Sequence, residues 1–106
     1  MHVQKRLLMM NFEANTEAYL TKDMCAYPYY LGKDHGWSCT YAYFTNGTPL
    51  KNAQFEQYCA LKCLGEADDY KKQRKIAAEY LRQHVKDLDV LCCFNYGGAS
   101  YSLPRL

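Results

Sequence analysis

A chain of 106 residues has room for one domain with one core, and too little for a second substrate-binding lobe. Its 49% hydrophobic and 23% charged residues are ordinary for a folded protein and exclude wholesale disorder. A net charge of +2 gives no electrostatic ground for a nucleic-acid partner.

The apolar run Leu7-Leu8-Met9-Met10 is too short for a signal peptide, and no small-residue cleavage site follows it. No stretch approaches the ~20 apolar residues that span a bilayer. The expected compartment is the cytosol, with peripheral contact at the inner membrane face left open. Residues 4–10 read as a first strand, apolar on both faces as between two helical layers. Residues 11–16 break that pattern and read as a strand-to-helix loop. A helix is expected over much of 17–34, because Leu20, Met24, Tyr27 and Leu31 recur at helical spacing. Pro28 interrupts it, which predicts either a kink or two short helices meeting near Ala26. Gly36 supplies the stop, with Lys33 and His35 near the negative end of the helix dipole.

Residues 38–44 read as a second strand, with Thr40, Ala42 and Phe44 on one face and Cys39, Tyr41 and Tyr43 on the other. Thr45-Asn46-Gly47-Thr48-Pro49 is a turn. Over 50–66 the pattern is open: Phe55, Cys59 and Lys62 fit a helix face, while Leu61-Lys62-Cys63-Leu64 fits a short strand. Asp68 or Asp69 caps a helix running to about Lys86. Ile76, Ala77, Tyr80, Leu81, His84 and Val85 form its apolar stripe. Its other face carries Lys71, Lys72, Arg74 and Lys75, which suit either solvent or anionic lipid headgroups. Val90-Leu91-Cys92-Cys93-Phe94 reads as a strand at the centre of a parallel sheet, and residues 95–100 as the loop after it. Strands alternating with helices give an α/β class with a Rossmann-like, largely parallel sheet flanked by helices, occupying residues 1–106 as a single unit.

The six cysteines are expected as reduced, buried thiols packing as small hydrophobes, since no export signal accompanies them. Their spacing, with His2, His35 and His84 scattered, matches no zinc pattern, so neither a metal nor a cofactor is expected. No P-loop, Ser-His-Asp arrangement or G-x-G-x-x-G fingerprint occurs, and no catalytic residue is assigned. Any site belongs at the strand ends. There Asn11, Glu13 and Asn15 form one candidate group, and Asn95, Tyr96, Gly97 and Gly98 another. Glu13 has the chemistry to accept hydrogen bonds from sugar hydroxyls or to act as a base, and equally that of a solvated loop acid. Gly97 and Gly98 would let the backbone approach a phosphate, or simply turn the chain. Lys22 and Asp23 are further candidates, against the plainer reading of a first-turn helix pair. Trp37, at a helix-to-strand corner, is expected to pack.

The segment from Tyr30 to Phe44, with Leu31, Gly36 and Thr40 in place, resembles the L-A-x-x-x-G-H-x-V-T-V helix-to-strand passage of GT-B glycosyltransferases of the family-four, group-one type. Tyr19-Leu20-Thr21-Lys22-Asp23 and Pro28-Tyr29-Tyr30-Leu31 resemble stretches of a bacterial subgroup. Lys86-Asp87-Leu88-Asp89-Val90-Leu91 resembles the entry to its fourth strand. The resemblance implies sugar transfer from a nucleotide-sugar donor to a cell-envelope or lipid-linked glycan acceptor. This chain would be the acceptor side, an incomplete amino-terminal domain inactive alone. Its partners would be a carboxy-terminal donor-binding domain, or another copy by self-association. The resemblance also implies strand order 3-2-1-4. The sequence departs from the family in lacking a glycine-rich turn after the first strand and in placing Phe94, Asn95 and Tyr96 near the usual histidine. The alternative is a self-contained small α/β binding or interaction module without catalytic activity.

Overall fold

Arg6–Ala14 forms strand β1, and the chain then passes through a 3-10 turn at Glu17–Thr21 into helix α1, Asp23–His35. Strand β2 is Ser38–Thr45, helix α2 Ala53–Glu56, strand β3 Cys59–Glu66, helix α3 Tyr70–His84 and strand β4 Val90–Phe94. These elements come from a computed structural model that describes residues 4–14 and 17–94. The strands form one all-parallel sheet in the order β3-β2-β1-β4, so the expected α/β class and strand order are both observed.

Alternation along the two inner strands assigns the layers. Leu7, Met9, Cys39, Tyr41 and Tyr43 face α1 and α2, while Leu8, Met10, Ala42 and Phe44 face Ala77 and Leu81 of α3. Each fully buried large side chain, such as Leu8 or Met10, contributes ~1.5–3 kcal/mol. The first two connections step one way across the sheet with their helices on one face. The third runs back the other way with α3 on the opposite face, as connections of a single hand require.

Four local readings need correction. First, β1 continues through the residues expected to be loop, to Ala14. Its register with β2 shifts between Asn11 and Ala14, a bulge that lets a polar stretch stay paired. Second, the helix break falls at Lys22 rather than near Ala26, and α1 runs unbroken through Pro28. Burial of Met24, Cys25 and Pro28 against the sheet outweighs a proline cost of ~3 kcal/mol. The buried stripe is therefore Met24, Pro28 and half-buried Leu31, while Tyr27 is 66% exposed. Third, His84 is exposed and buried Gln73 takes a place on the inner face of α3, which ends at His84 before a 3-10 turn over Val85–Asp87. Fourth, among the described strands β4 lies at the edge of the sheet, half-buried, with Cys93 exposed. An apolar run reports cover on two faces and says nothing of a second neighbouring strand.

The caps are local and specific. Gly36, at φ 70, closes α1, with its N–H on the Gly32 carbonyl at 3.2 Å and the Trp37 N–H on Leu31 at 3.1 Å. Trp37 packs half-buried, with the Lys5 ammonium 5.5 Å from its ring centre. The open stretch 50–66 resolves into both elements. The Asn52 carboxamide oxygen accepts from the Phe55 N–H at 3.0 Å and the Glu56 carboxylate accepts from the Asn52 N–H at 3.1 Å, a reciprocal cap that starts α2. Strand β3 follows directly. Asp69 caps α3 by accepting from the Lys71 N–H at 2.9 Å. Asp89 pins β4 to β1, its carboxylate accepting from the Arg6 N–H at 2.8 Å and its own N–H bonding the Arg6 carbonyl at 2.9 Å. Among the described residues no helix is long and apolar enough to cross a membrane.

Candidate functional site

The chain steps from β1 through β2 to β3 and then returns to set β4 on the other side of β1, so the strand order reverses between β1 and β4. In open parallel sheets ligands bind outside the carboxyl ends of the strands at such a reversal. The pairs Met10↔Cys93 and Asn11↔Phe94 hold those two ends side by side. The sequence candidates group around this point: Asn11 and Glu13 lie in β1, and Lys22 and Asp23 open α1. Asn15, Asn95, Tyr96, Gly97 and Gly98 lie outside the described residues.

The Asn11 side chain is fully buried beneath the first turn of α1. Its Nδ2 donates to the Tyr41 hydroxyl at 3.0 Å and contacts the Met24 sulfur at 2.8 Å. The Tyr41 hydroxyl in turn lies 3.6 Å from that sulfur and bonds the Cys25 thiol. Three elements meet in this network: the end of β1, the middle of β2 and the start of α1. A buried, satisfied polar cluster fixes their relative positions. Asn11 thus lies buried beneath the carboxyl end of β1 and is not a loop residue open to solvent.

Burial pushes the Cys25 thiol up to about 12, partly offset by its bond to Tyr41, and pushes Cys39 up to about 11. Cys59, paired in register with Cys39, is raised chiefly by burial, with Cys39 and Cys25 adding to the effect. Burial also raises the Tyr41 hydroxyl. These thiols are protonated at neutral pH and are not nucleophiles there. Lys22 and Asp23 are exposed and have local roles. The Lys22 ammonium lies 5.8 Å from the Tyr19 ring centre, and Asp23 complements the positive end of the α1 dipole. Among the described residues no three His, Cys, Asp or Glu side chains group closely enough to hold a metal ion.

A second concave feature escapes sequence reasoning. A groove of about 360 Å³ opens between α1 and the start of α2, lined by Leu20, Thr21, Ala26, Tyr29, Tyr30, Asn52, Gln54 and Phe55. The Tyr29 ring is its hub. It stacks on Phe55 at 5.5 Å and 22° and meets Tyr30 and Tyr58 edge-on at 5.2 and 5.5 Å. The adjacent tyrosines 29 and 30 were the available signal, but nothing in the sequence places Phe55 against them.

Protein-family models, curated proteins and solved structures contain no match to this chain.

Proposed function

We propose that this chain is the acceptor-side portion of a glycosyltransferase, holding a cell-envelope or lipid-linked glycan while a donor-binding domain supplies the nucleotide sugar. The observation that carries the reading is the all-parallel sheet in the order β3-β2-β1-β4, with its reversal beside the end of β1. The resemblance segments also occupy fitting places. Tyr30 to Phe44 runs from α1 through the left-handed Gly36 into β2, and Lys86 to Leu91 leads into β4, where Asp89 ties that strand to Arg6. Fold alone hosts many chemistries, so the assignment of sugar transfer leans on those segments.

In this reading the crevice between β1 and β4 orients the acceptor, and the buried Asn11–Tyr41–Met24 network keeps its floor rigid. Proton transfer and donor activation fall to groups of the donor-binding side. A second reading, a self-contained binding module, draws on the cover of both sheet faces by the chain's own helices. Amide shifts recorded by NMR test the choice, with a cell-envelope oligosaccharide panel and UDP-glucose as probes. Acceptor-side function requires an oligosaccharide to shift the amides of Met10–Ala14 and Cys92–Phe94. Failure of every glycan to move them would reject it.

A further inference from the structure

We infer that the groove between α1 and α2 is a binding site for a neutral sugar ring, separate from the crevice at the β1 and β4 ends. This inference stands on the chemistry of the groove and does not need the glycosyltransferase reading.

A pyranose ring has two kinds of surface. Its C–H faces are apolar, and its rim carries hydroxyls that both donate and accept. A matching site needs a flat aromatic surface and neutral side chains of mixed hydrogen-bonding capacity beside it. The groove has both. Tyr29 is held by three ring contacts, stacked on Phe55 and edge-on with Tyr30 and Tyr58, so the aromatic cluster is in place before any ligand arrives. Tyr30 stands 53% exposed at the edge, a large ring that the core does not use. Thr21, Asn52 and Gln54 supply the polar rim. The Asn52 carboxamide is oriented by its bond to the Phe55 N–H at 3.0 Å, which engages the oxygen and leaves the amide N–H groups for a ligand.

Charge decides between ligand classes. Among the described residues no lysine, arginine, histidine or carboxylate lines the groove, so none of them there balances a phosphate, a nucleotide or a carboxylate ligand. A wholly apolar ligand would cover the two carboxamides and offer their N–H groups no partner, which weakens its binding. A neutral polyhydroxylated ring satisfies both conditions. The volume, about 360 Å³, falls within the range of small-molecule sites and has room for a monosaccharide unit.

The test is an NMR titration of the full chain with methyl β-glucopyranoside, methyl β-galactopyranoside and N-acetylglucosamine, followed on the tyrosine and phenylalanine rings and the carboxamide N–H signals. Indole is the apolar comparison. At least one sugar should shift Tyr29, Tyr30, Asn52 and Gln54 saturably, with a Kd of order mM. Tyr30→Ala should weaken that binding about threefold to tenfold. Gln54→Ala should weaken it about threefold. Tyr70→Ala, which removes a 57% exposed ring on α3, should leave it unchanged. No saturable shift with any sugar, binding of indole alone, or undiminished binding by both groove variants would overturn the inference. Sugar shifts confined to Met10–Ala14 and Cys92–Phe94 would also overturn it while supporting the acceptor crevice. Shifts confined to the groove would support it and count against that crevice.

Discussion

Gly32→Ala is a substitution that helix propensity favours by ~1 kcal/mol and that this fold should reject. Gly32 lies inside α1 where the helix crosses the entrance to β3. A Cβ built there falls far inside the contact distance of the Tyr58 carbonyl oxygen, 3.0 Å from its carbon and 3.3 Å from the Tyr58 Cβ. The obstacle is backbone. Tyr58 donates its own N–H to Phe55 at 3.1 Å, and the next residue, Cys59, is already paired with Cys39. Neither α1 nor the start of β3 can yield alone. Overpacking costs ~1–3 kcal/mol, and the upper end applies when backbone must shift. Subtracting the propensity gain leaves a net loss of ~2 kcal/mol. For a domain of this size that lowers Tm by ~8–16 °C. Thermal and urea unfolding by far-UV circular dichroism measures it, with a lower urea midpoint at unchanged slope. Gly47→Ala, at an exposed turn with open space around the new carbon, should stay within ~0.5 kcal/mol of the parent. A Gly32→Ala protein that melts at or above the parent temperature would refute the close approach.

Asn11→Leu removes the donor to Tyr41 and with it one hydrogen bond of the buried network, so stability should fall by ~1 kcal/mol in urea titration; an unchanged midpoint would show the network to be dispensable. Stability should also fall in alkali. Thiols that ionise near 9 in the unfolded chain do so at about 11 for Cys39 and about 12 for Cys25 when folded. The folded state keeps protons that the unfolded chain loses, so the contribution of these thiols is full below pH 9 and disappears as pH rises through 11 and 12. Urea midpoints that stay constant from pH 8.5 to above pH 10, an interval of ~1.5 units over which a coupled thiol must act, would contradict this. Thiol-specific reagents should label exposed Cys93 in the native protein, faster as pH rises because the thiolate is the reactive form. Cys25, Cys39 and Cys59 should react only on unfolding, which mass mapping of the labelled peptides would reveal.

The parts of the fold legible in the sequence are those where one periodicity spans a whole element. Alternation over Cys39 to Phe44 assigned both faces of β2 correctly, and the 3.6-residue repeat with a capping aspartate located α3. Errors arose where tertiary packing overrides a local signal. Pro28 reads as a breaker in the sequence, yet its ring is buried in the face that α1 turns to the sheet, and excluding it rotates the stripe onto exposed Tyr27. Asn11 reads as the first loop residue because it is polar. Its partners Tyr41 and Met24 lie 30 and 13 positions away, and a linear pattern carries no trace of them. The segment 50–66 was ambiguous because a four-residue helix and an eight-residue strand adjoin within it, each too short for a period to show. The aromatic groove depends on α2 lying against α1, a relation that only the folded chain establishes.

The central position of β1 has a consequence for how the protein is made. Among the described strands β1 is made before the others and is flanked on both sides in the sheet, yet its second neighbour, β4, is the last of them. The bond from the Arg6 N–H to Asp89 bridges 83 positions. At ~5–20 residues per second, translation takes roughly 2–10 s to pass from the end of β2 to the end of β4. During that interval β1 pairs with β2, and β3 joins once made, while the far edge of β1, with Leu8 and Met10 beside it, waits open. During biosynthesis this edge is the natural point of engagement for a nascent-chain chaperone, and the place where two unfinished copies would join in error.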